Sequence, residues 1–353
     1  MGIWHWIVGN WLTEKGTVAD RAVSNDHRRR RSTVGAVAVA EKPAPTSLQL
    51  DDRWWEFEGA TLTVPVEIER GELSREAQAL ENLLVSHFDG HNLNLPPLLK
   101  VTETLLPKLG SAKCDLKSVA RELGEDQVIA AAVLRMANSV LYRGLNRIET
   151  LPPAATRLGT RALRTLLMNE SLRAATFFKK GANNDWAKSI WRRSIASGCI
   201  MRGLAQFTSV DPEDAFLVGL LHDIGSVIVL RVVCEAQHAH KYEISTEEFE
   251  YLRHECHQEF GELIAQSWSL PKQLKAIIAN HHTVAPADDP LKTQRDMLEL
   301  TGLINSIMGF SPYANYNLLE SRSALALELP QRDDFIAFLA QLPEEVDDTV
   351  NAL

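Results

Sequence analysis

The side chains best suited to metal chemistry fall in three groups, namely His222-Asp223, His254 with His257, and His281-His282. Imidazole nitrogens and carboxylate oxygens bind divalent metal ions, which can activate a water molecule and polarise a phosphoryl oxygen. Each group lies in a predicted helix of its own or at its end, so the spacing favours ligands that converge from several helices. A metal-dependent phosphohydrolase needs this arrangement, whereas a His-Asp pair alone is also compatible with an ordinary polar contact.

The first of these groups lies within the stretch 211–230, DPEDAFLVGLLHDIGSVIVL, whose apolar spacing predicts one helix with a wide buried stripe. Asp211 and Pro212 are typical of a helix start, because an aspartate side chain accepts hydrogen bonds from free amides and proline already has a helical φ. Since the surrounding residues are apolar, His222 and Asp223 must be paired, hydrogen-bonded or bound to metal.

Helical periodicity continues from Glu72 almost to the end of the 353-residue chain, so we predict an all-α body. Before it, Leu62 to Ile68 alternate apolar and polar residues, and Trp54 to Phe57 offer a partner strand for a small N-terminal β-hairpin. We divide the chain into four parts: an extension or linker that is partly disordered (1–50), the hairpin and a helix (51–94), a helical domain (95–290), and C-terminal helices with an acidic tail (291–353).

Composition narrows the classes of partner. The net charge of −9 argues against wholesale binding to nucleic acid, although the Arg28–Arg31 run leaves a local nucleic-acid surface as one alternative. Residues 113–180 carry twelve Lys and Arg against six Asp and Glu, which favours a basic face that includes Arg157, Arg161 and Arg164. The four cysteines form no CxxC pair, and no apolar run is expected to span a membrane, so we predict reduced thiols in a cytoplasmic protein.

A helix-turn-helix outline offers another route to nucleic acid. Residues 115–124 and 125–139 form a short helix, a glycine turn and a second helix. Glu125 and Asp126 stand where the second helix would meet phosphates and would repel them, so this pair is a poor DNA reader.

Several segments occur in the order and spacing of a known family. They are LPPL (95–98), ARELGEDQVIAAAVLRMANSVLY (120–142), LPPAATRLGTRALRTLLM (151–168), IWRRSIASG (190–198), DPEDAFLVGLLHDIG (211–225), HQEFGELIAQSWSLPKQL (257–274) and AIIANHH (276–282). Through them the chain resembles the HDOD family, the HD-related output domains of bacterial signalling proteins. The resemblance implies an HD-phosphohydrolase-like helical bundle with an N-terminal helical subdomain. It also implies a regulatory module that binds other signalling proteins, commonly in two-component or cyclic-di-GMP networks.

The resemblance also suggests that the metal site is degenerate. Catalytic HD relatives place a histidine on the helix before the HD pair and an aspartate several helices after it. Here the first position matches Arg193, whose guanidinium has no lone pair for a metal, and the likeliest occupant of the last is Asn305, which brings no negative charge. The remaining ligand positions, which we interpret as remnants, are His222, Asp223, His257 and His281.

We therefore expect no enzymatic activity and no required cofactor, with Arg193 pairing with Asp223 where a cation once lay. The HHExxDGxGYP signature of cyclic-di-GMP phosphodiesterases is also absent, since His281-His282 is followed by TVAPADDP. The alternative function is a metal-dependent HD-type phosphohydrolase that acts on a nucleotide or cyclic dinucleotide.

Overall fold

The computed structural model describes most of the chain after the predicted hairpin. The described ranges are 72–89, 95–139, 141–178, 184–310 and 317–352. Every regular element within these ranges is helical, which confirms the predicted all-α body. The predicted hairpin, the Arg28–Arg31 run and the extension 1–50 lie outside the described residues.

We number the α-helices in chain order. They are α1 (Arg75–Asp89), α2 (Lys100–Leu109), α3 (Leu116–Leu123), α4 (Gln127–Ala137), α5 (Leu151–Thr176), α6 (Asn184–Ala205), α7 (Pro212–Leu221), α8 (Ser226–His240), α9 (Thr246–Ser267), α10 (Lys272–Asn280), α11 (Lys292–Ile307), α12 (Arg322–Ala326) and α13 (Asp333–Ala352). A short 3-10 helix, Leu318–Glu320, precedes α12.

Helices α2 to α5 share one apolar core, which includes Leu105, Leu123, Val133 and Leu163. Asp126 caps the start of α4, because its side chain accepts hydrogen bonds from the first amides of that helix. These helices form the N-terminal helical part of the domain, and α5 also packs against α7 and so connects them to the rest of the bundle.

The second part of the bundle is built around α6, which packs against α7, α11 and α13. Helix α9 packs against α8 and α10, so the segments that carry the predicted metal ligands are neighbours. The start of α7 is as predicted, since the Asp211 side chain accepts hydrogen bonds from the amides of Glu213 and Asp214 at 3.0 and 3.2 Å.

The single helix predicted over 211–230 is wrong. Helix α7 ends at Leu221, α8 begins at Ser226, and the residues between them form a turn. Amides in the turn bond three residues back, as that of Ser226 does to the Asp223 carbonyl oxygen at 2.9 Å, so the four-residue pattern of an α-helix is interrupted. Gly225 lets this turn pack against α9, because a Cβ atom there would lie 1.8 Å from the His257 carbonyl oxygen and 2.4 Å from the Gly261 amide nitrogen. The turn therefore approaches the backbone of α9 more closely than any residue with a side chain permits.

The expectation that no apolar run reaches the length of a membrane span also needs correction. Pro212–His240, which combines α7, the turn and α8, is long and apolar enough by length and composition. However, 89% of its apolar window is buried inside the protein. This burial is typical of a core element in a soluble protein.

All four cysteines are free thiols, in line with the absence of a CxxC pair. Burial raises the pKa of Cys199 to about 11 and raises the pKa of Cys256 well above its ordinary value. These two thiols therefore stay protonated near neutral pH and contribute to packing.

The close approach at Gly225 can be tested by substitution. Gly225→Ala should lower the free energy of unfolding by roughly 1 to 3 kcal/mol, the usual effect of adding atoms to a packed core. The reason is that the backbone of α9 has to move away from the new Cβ atom. Gly302→Ala is the matched control, since a Cβ there meets nothing within 4 Å. It should stabilise the helix by roughly 0.5 to 1 kcal/mol. Equal unfolding midpoints in urea for the two variants would contradict the packing described for the turn.

Candidate functional site

The predicted ligand residues meet where three segments come together. His222 and Asp223 lie in the turn between α7 and α8, His257 lies on α9, and His281 directly follows α10. Asp223 is only 7% exposed and His257 is fully buried. The site is therefore inside the bundle, where an unpaired charge would be costly.

One carboxylate oxygen faces all three histidines. Asp223 Oδ1 lies 3.2 Å from Nε2 of His257, 3.7 Å from Nε2 of His281 and 3.9 Å from Nε2 of His222. The Nε2 atoms of His257 and His281 are 3.1 Å apart, and Nε2 of His282 lies 2.9 Å from that of His257. The structure thus brings the four predicted positions together and adds His282.

The backbone fixes how each of the three rings is oriented. In every case Nδ1 lies against a main-chain carbonyl oxygen, which can only accept a hydrogen bond, so Nδ1 carries the proton. The pairs are His222 with Gly219 at 2.7 Å, His257 with Arg253 at 2.9 Å, and His281 with Ile278 at 2.9 Å. In this orientation Nε2 of each ring faces the centre of the cluster, as in metal-binding histidines.

The other carboxylate oxygen faces arginines. Nη1 of Arg253 donates a hydrogen bond to Asp223 Oδ2 at 3.1 Å, and Nη1 of Arg193 lies 3.9 Å from the same oxygen. The predicted pairing of Arg193 with Asp223 is therefore present, but it is the longer of the two. Arg193 instead bonds Glu250 through Nη2 at 3.2 Å and the Phe310 carbonyl oxygen through Nε at 3.0 Å.

Sequence reasoning missed Arg253 and Glu250. Nε of Arg253 also donates to Glu250 at 2.8 Å, so two arginines and two carboxylates form one buried ion network. A signal was available in the spacing, because residues 250, 253 and 257 lie on one face of α9.

The structure changes the interpretation of two further residues, Asn305 and His254. Asn305, the expected occupant of the last ligand position, is buried on α11 and donates to the Ser197 hydroxyl at 2.8 Å. His254, which had no assigned role, lies beside His282 with ring centroids 5.2 Å apart. Together with His257 these two histidines form a second group of potential ligands.

The local environment sets the charge of each group. Burial lowers the pKa of His222 to about 4 and of His282 to about 3, and it lowers the pKa of His257 well below its usual range. Burial alone would raise the pKa of Asp223, but attraction to His257, His222 and Arg253 holds it well below its usual range. Near neutral pH His222, His257 and His282 are therefore neutral, whereas Asp223 is ionised.

The donor set fits one divalent ion but not two. His222, His257, His281 and Asp223 Oδ1 offer three imidazole nitrogens and one carboxylate oxygen, a set that suits zinc or a similar metal. The second oxygen, through which the carboxylate would bridge to another ion, is bonded to Arg253. If these four residues held a zinc ion with four ligands, its coordination would be filled by the protein, as in structural zinc sites.

A helical bundle in which a His-Asp turn faces histidines from two further segments defines an HD-related domain. The model of the HDOD domain family matches residues 95–284, and the chain belongs to this family. This match begins at the first residue of the predicted domain, 95–290.

The comparisons also give one related sequence and several solved structures. An uncharacterised protein of Treponema pallidum (strain Nichols) is 24% identical over 207 residues, which are 56% of this chain and 40% of that protein. This chain thus spans well under half the length of that relative.

The solved structures share the fold at low identity. A candidate metal-dependent phosphohydrolase of Shewanella amazonensis SB2B has TM-score 0.63 and 19% identity, with coverage of 77% of this chain and 100% of that one. An HDOD domain protein of unknown function from Geobacter sulfurreducens has TM-score 0.59 and 22% identity, with 78% and 97% covered. A candidate signal transduction protein of Marinobacter aquaeolei VT8 has TM-score 0.57 and 18% identity, with 79% and 66% covered.

The buried histidines predict how stability depends on pH. Between pH 6.5 and about 4, His222 binds a proton in the unfolded chain but not in the folded one. Its contribution is therefore complete above pH 6.5 and is lost as the pH falls, by up to about 1.4 kcal/mol per pH unit. Urea unfolding in chelator from pH 8 to pH 5 should show this decline.

Two variants separate this effect from general acid sensitivity. His222→Asn should make the decline shallower, while the same change at the exposed His238 should leave the slope as in the parent protein. A parent curve that stays flat between pH 7 and pH 5 would contradict the neutral, buried histidine cluster.

The ion network predicts a large effect from a small change at Asp223. Asp223→Asn leaves two buried guanidinium groups without this carboxylate, and we expect a loss of roughly 3 to 5 kcal/mol of unfolding free energy. Asp334→Asn removes one partner of the exposed Arg332–Asp334 pair and should leave the free energy of unfolding nearly unchanged, because water screens such surface pairs. Urea titration at pH 7.5 measures both, and a near-neutral Asp223→Asn variant would rule out the network as a source of stability.

Proposed function

We propose that this chain is a non-catalytic regulatory module that acts in signal transduction by binding other signalling proteins in the cytoplasm. Two-component and cyclic-di-GMP networks are the settings that suit it. The observation that carries the proposal is the state of Asp223, whose Oδ2 accepts a hydrogen bond from Arg253 and lies 3.9 Å from Arg193. The carboxylate of the HD pair thus has permanent positive partners in the protein itself.

Hydrolysis of a phosphate ester needs positive charge that can be brought to the substrate and a water that can be activated. Here two guanidinium groups are already committed, since Arg193 and Arg253 both pair with Glu250 as well as with Asp223. Their side chains are 6% and 4% exposed, so they are poorly placed to reach a substrate. The network therefore supports a structural role, in which Asp223 joins the turn after α7 to α9.

The family and one of its structural relatives point in the same direction. The HDOD domain is HD-related, and the relative from Marinobacter aquaeolei is named for signal transduction. A regulatory role explains why the fold persists while the second carboxylate oxygen of Asp223 is paired with arginine.

The alternative, a metal-dependent phosphohydrolase, has one observation in its favour. Three Nε2 lone pairs and Asp223 Oδ1 converge, and the relative from Shewanella amazonensis is named as a candidate of that class. If His222, His257, His281 and Asp223 held a divalent ion, that ion would supply Lewis-acid activation of water. The protein residues would supply the ring orientations fixed through Nδ1 and a buried carboxylate.

An activity assay separates the two functions. Full-length protein purified without chelator is incubated with manganese and a panel of nucleotides and cyclic dinucleotides. We expect no turnover above that of the Asp223→Asn variant, because the site lacks a free position for water. Turnover by the parent protein that Asp223→Asn abolishes would overturn the non-catalytic assignment, and increased turnover in Arg193→His would identify Arg193 as the block.

The binding role has its own test. Affinity capture from the native host is performed with the full chain and with a chain that begins at Glu72. If the described helical body binds the partner, both baits should enrich the same signalling protein. Enrichment by the full chain alone would place the binding surface before residue 72, and enrichment by neither would contradict the proposed role.

A further inference from the structure

The arginines of the basic face predicted from the sequence already have partners within the protein. Arg161 pairs with Asp211 and Arg164 pairs with Asp214, both at the start of α7. Arg157 donates to two backbone carbonyl groups, as described below. These arginines hold α5 to the start of α7 and to the loop that precedes α5, so their charges are already paired or hydrogen-bonded within the protein.

A different set of arginines surrounds a cavity of about 700 Å³ at the end of α4 and the loop that follows it. Its lining includes Arg135, Arg143 and Arg147, with Glu149 as the one carboxylate among the lining residues. Among the described residues, the guanidinium groups of Arg143 and Arg147 form no ion pair and donate no hydrogen bond, and Arg143 is bonded only through its main-chain amide, to Ser139. Arg135 also forms no ion pair there, although its charge acts on the buried carboxyl group of Glu170. In a chain with a net charge of −9, this concentration of unneutralised positive charge is unusual.

Hydrogen bonds from the side chains of Asn138 and Arg157 hold the walls of the cavity in place. The Asn138 amide group donates to the carbonyl oxygens of Leu134 and Ile148 at 2.9 and 2.7 Å, and its oxygen accepts from the Ile148 amide at 2.9 Å. The Arg157 guanidinium donates to the carbonyl oxygens of Ala137 and Asn146 at 3.1 and 2.9 Å. Both ends of the loop are therefore fixed to α4 and α5.

A third contact joins this loop to the helix that carries the His-Asp turn. The Tyr142 hydroxyl donates to the Glu213 carboxylate on α7, and burial raises the pKa of Tyr142 well above its ordinary value. Arg202 pairs with the same carboxylate at 3.2 Å. The loop is thus a built structure with fixed attachments.

We infer that this cavity binds a small phosphorylated molecule of nucleotide size that carries at least two phosphoryl groups. Guanidinium groups match phosphate oxygens in geometry and charge, and unlike ammonium groups they donate two parallel hydrogen bonds. The volume lies within the roughly 300 to 1,000 Å³ typical of small-molecule sites. Three arginines against one glutamate leave a charge of about +2 to be matched by the ligand.

This site lies apart from the His-Asp cluster, so the inference goes beyond the proposed function and does not depend on the absence of catalysis. A concave site with fixed walls favours a small ligand over a protein partner. An acidic peptide is the competing occupant, and the experiment below distinguishes the two.

Isothermal titration of the full chain at low ionic strength tests the inference with four probes: inorganic pyrophosphate, ADP, adenosine, and a peptide of alternating glutamate and leucine. Pyrophosphate and ADP should bind at one site, and adenosine should not bind, because the phosphoryl groups provide the recognition. Arg143→Gln and Arg147→Gln should each weaken ADP binding about tenfold, in keeping with the loss of one charged hydrogen bond.

Two further variants test the sign of the charge effect. Glu149→Gln should strengthen ADP binding, since it removes the one negative charge of the lining. Arg332→Gln lowers the net charge by one, as Arg143→Gln and Arg147→Gln do, but Arg332 directly precedes α13 and is paired with Asp334, so this control should leave binding unchanged. Thermal melting points within about a degree of the parent protein verify that the exposed substitutions leave the fold intact.

Three results would overturn the inference. The first is a failure of both pyrophosphate and ADP to bind at millimolar concentration. The second is binding that Arg143→Gln and Arg147→Gln leave unchanged, since the anion would then be held elsewhere. The third is tighter binding of the acidic peptide than of ADP with loss in the same two variants, which would assign the arginines to a protein partner.

Discussion

A carboxylate buried in an apolar bundle must have positive or hydrogen-bonding partners, and Asp223 imposes this requirement on the whole second half of the domain. Its two oxygens face different neighbours, with histidines around Oδ1 and arginines at Oδ2. The helix break before Ser226 and the contact of Gly225 with the α9 backbone bring the carboxylate within reach of Arg253. Without that close approach, one of the most apolar segments of the chain would contain an uncompensated charge.

The sequence allowed much of the fold to be predicted. Apolar periodicity identified the helical body, and the caps at Asp115 and Asp211 were readable because each aspartate directly precedes its first helical residue. The break within 211–230 was not readable, because the turn packs against the backbone of His257 and Gly261, which lie far away in sequence. Local propensity favoured one continuous helix, and tertiary packing overrode it.

Prediction of the site was uneven for a related reason. His222, Asp223, His257 and His281 were identified because their residue types and order match a known pattern. Their convergence follows from the packing of α8, α9 and α10, which composition does not specify. Arg253 was missed because a motif comparison looks for ligands and not for the groups that neutralise them. The basic residues show the same limit, since no sequence feature separates Arg161, which is paired, from Arg143, which is unpaired within the described residues.

The ion network also bears on how such motifs persist through evolution. Each member of the network is required by another, because losing any one of them exposes a buried charge to an apolar environment. Purifying selection for folding alone would then retain the aspartate of an adjacent His-Asp pair even in a chain without turnover. In chains of this kind, the motif persists because removing it would destabilise the fold. Whether its carboxylate is paired with a metal ion or with a guanidinium group is the better guide to whether catalytic activity remains.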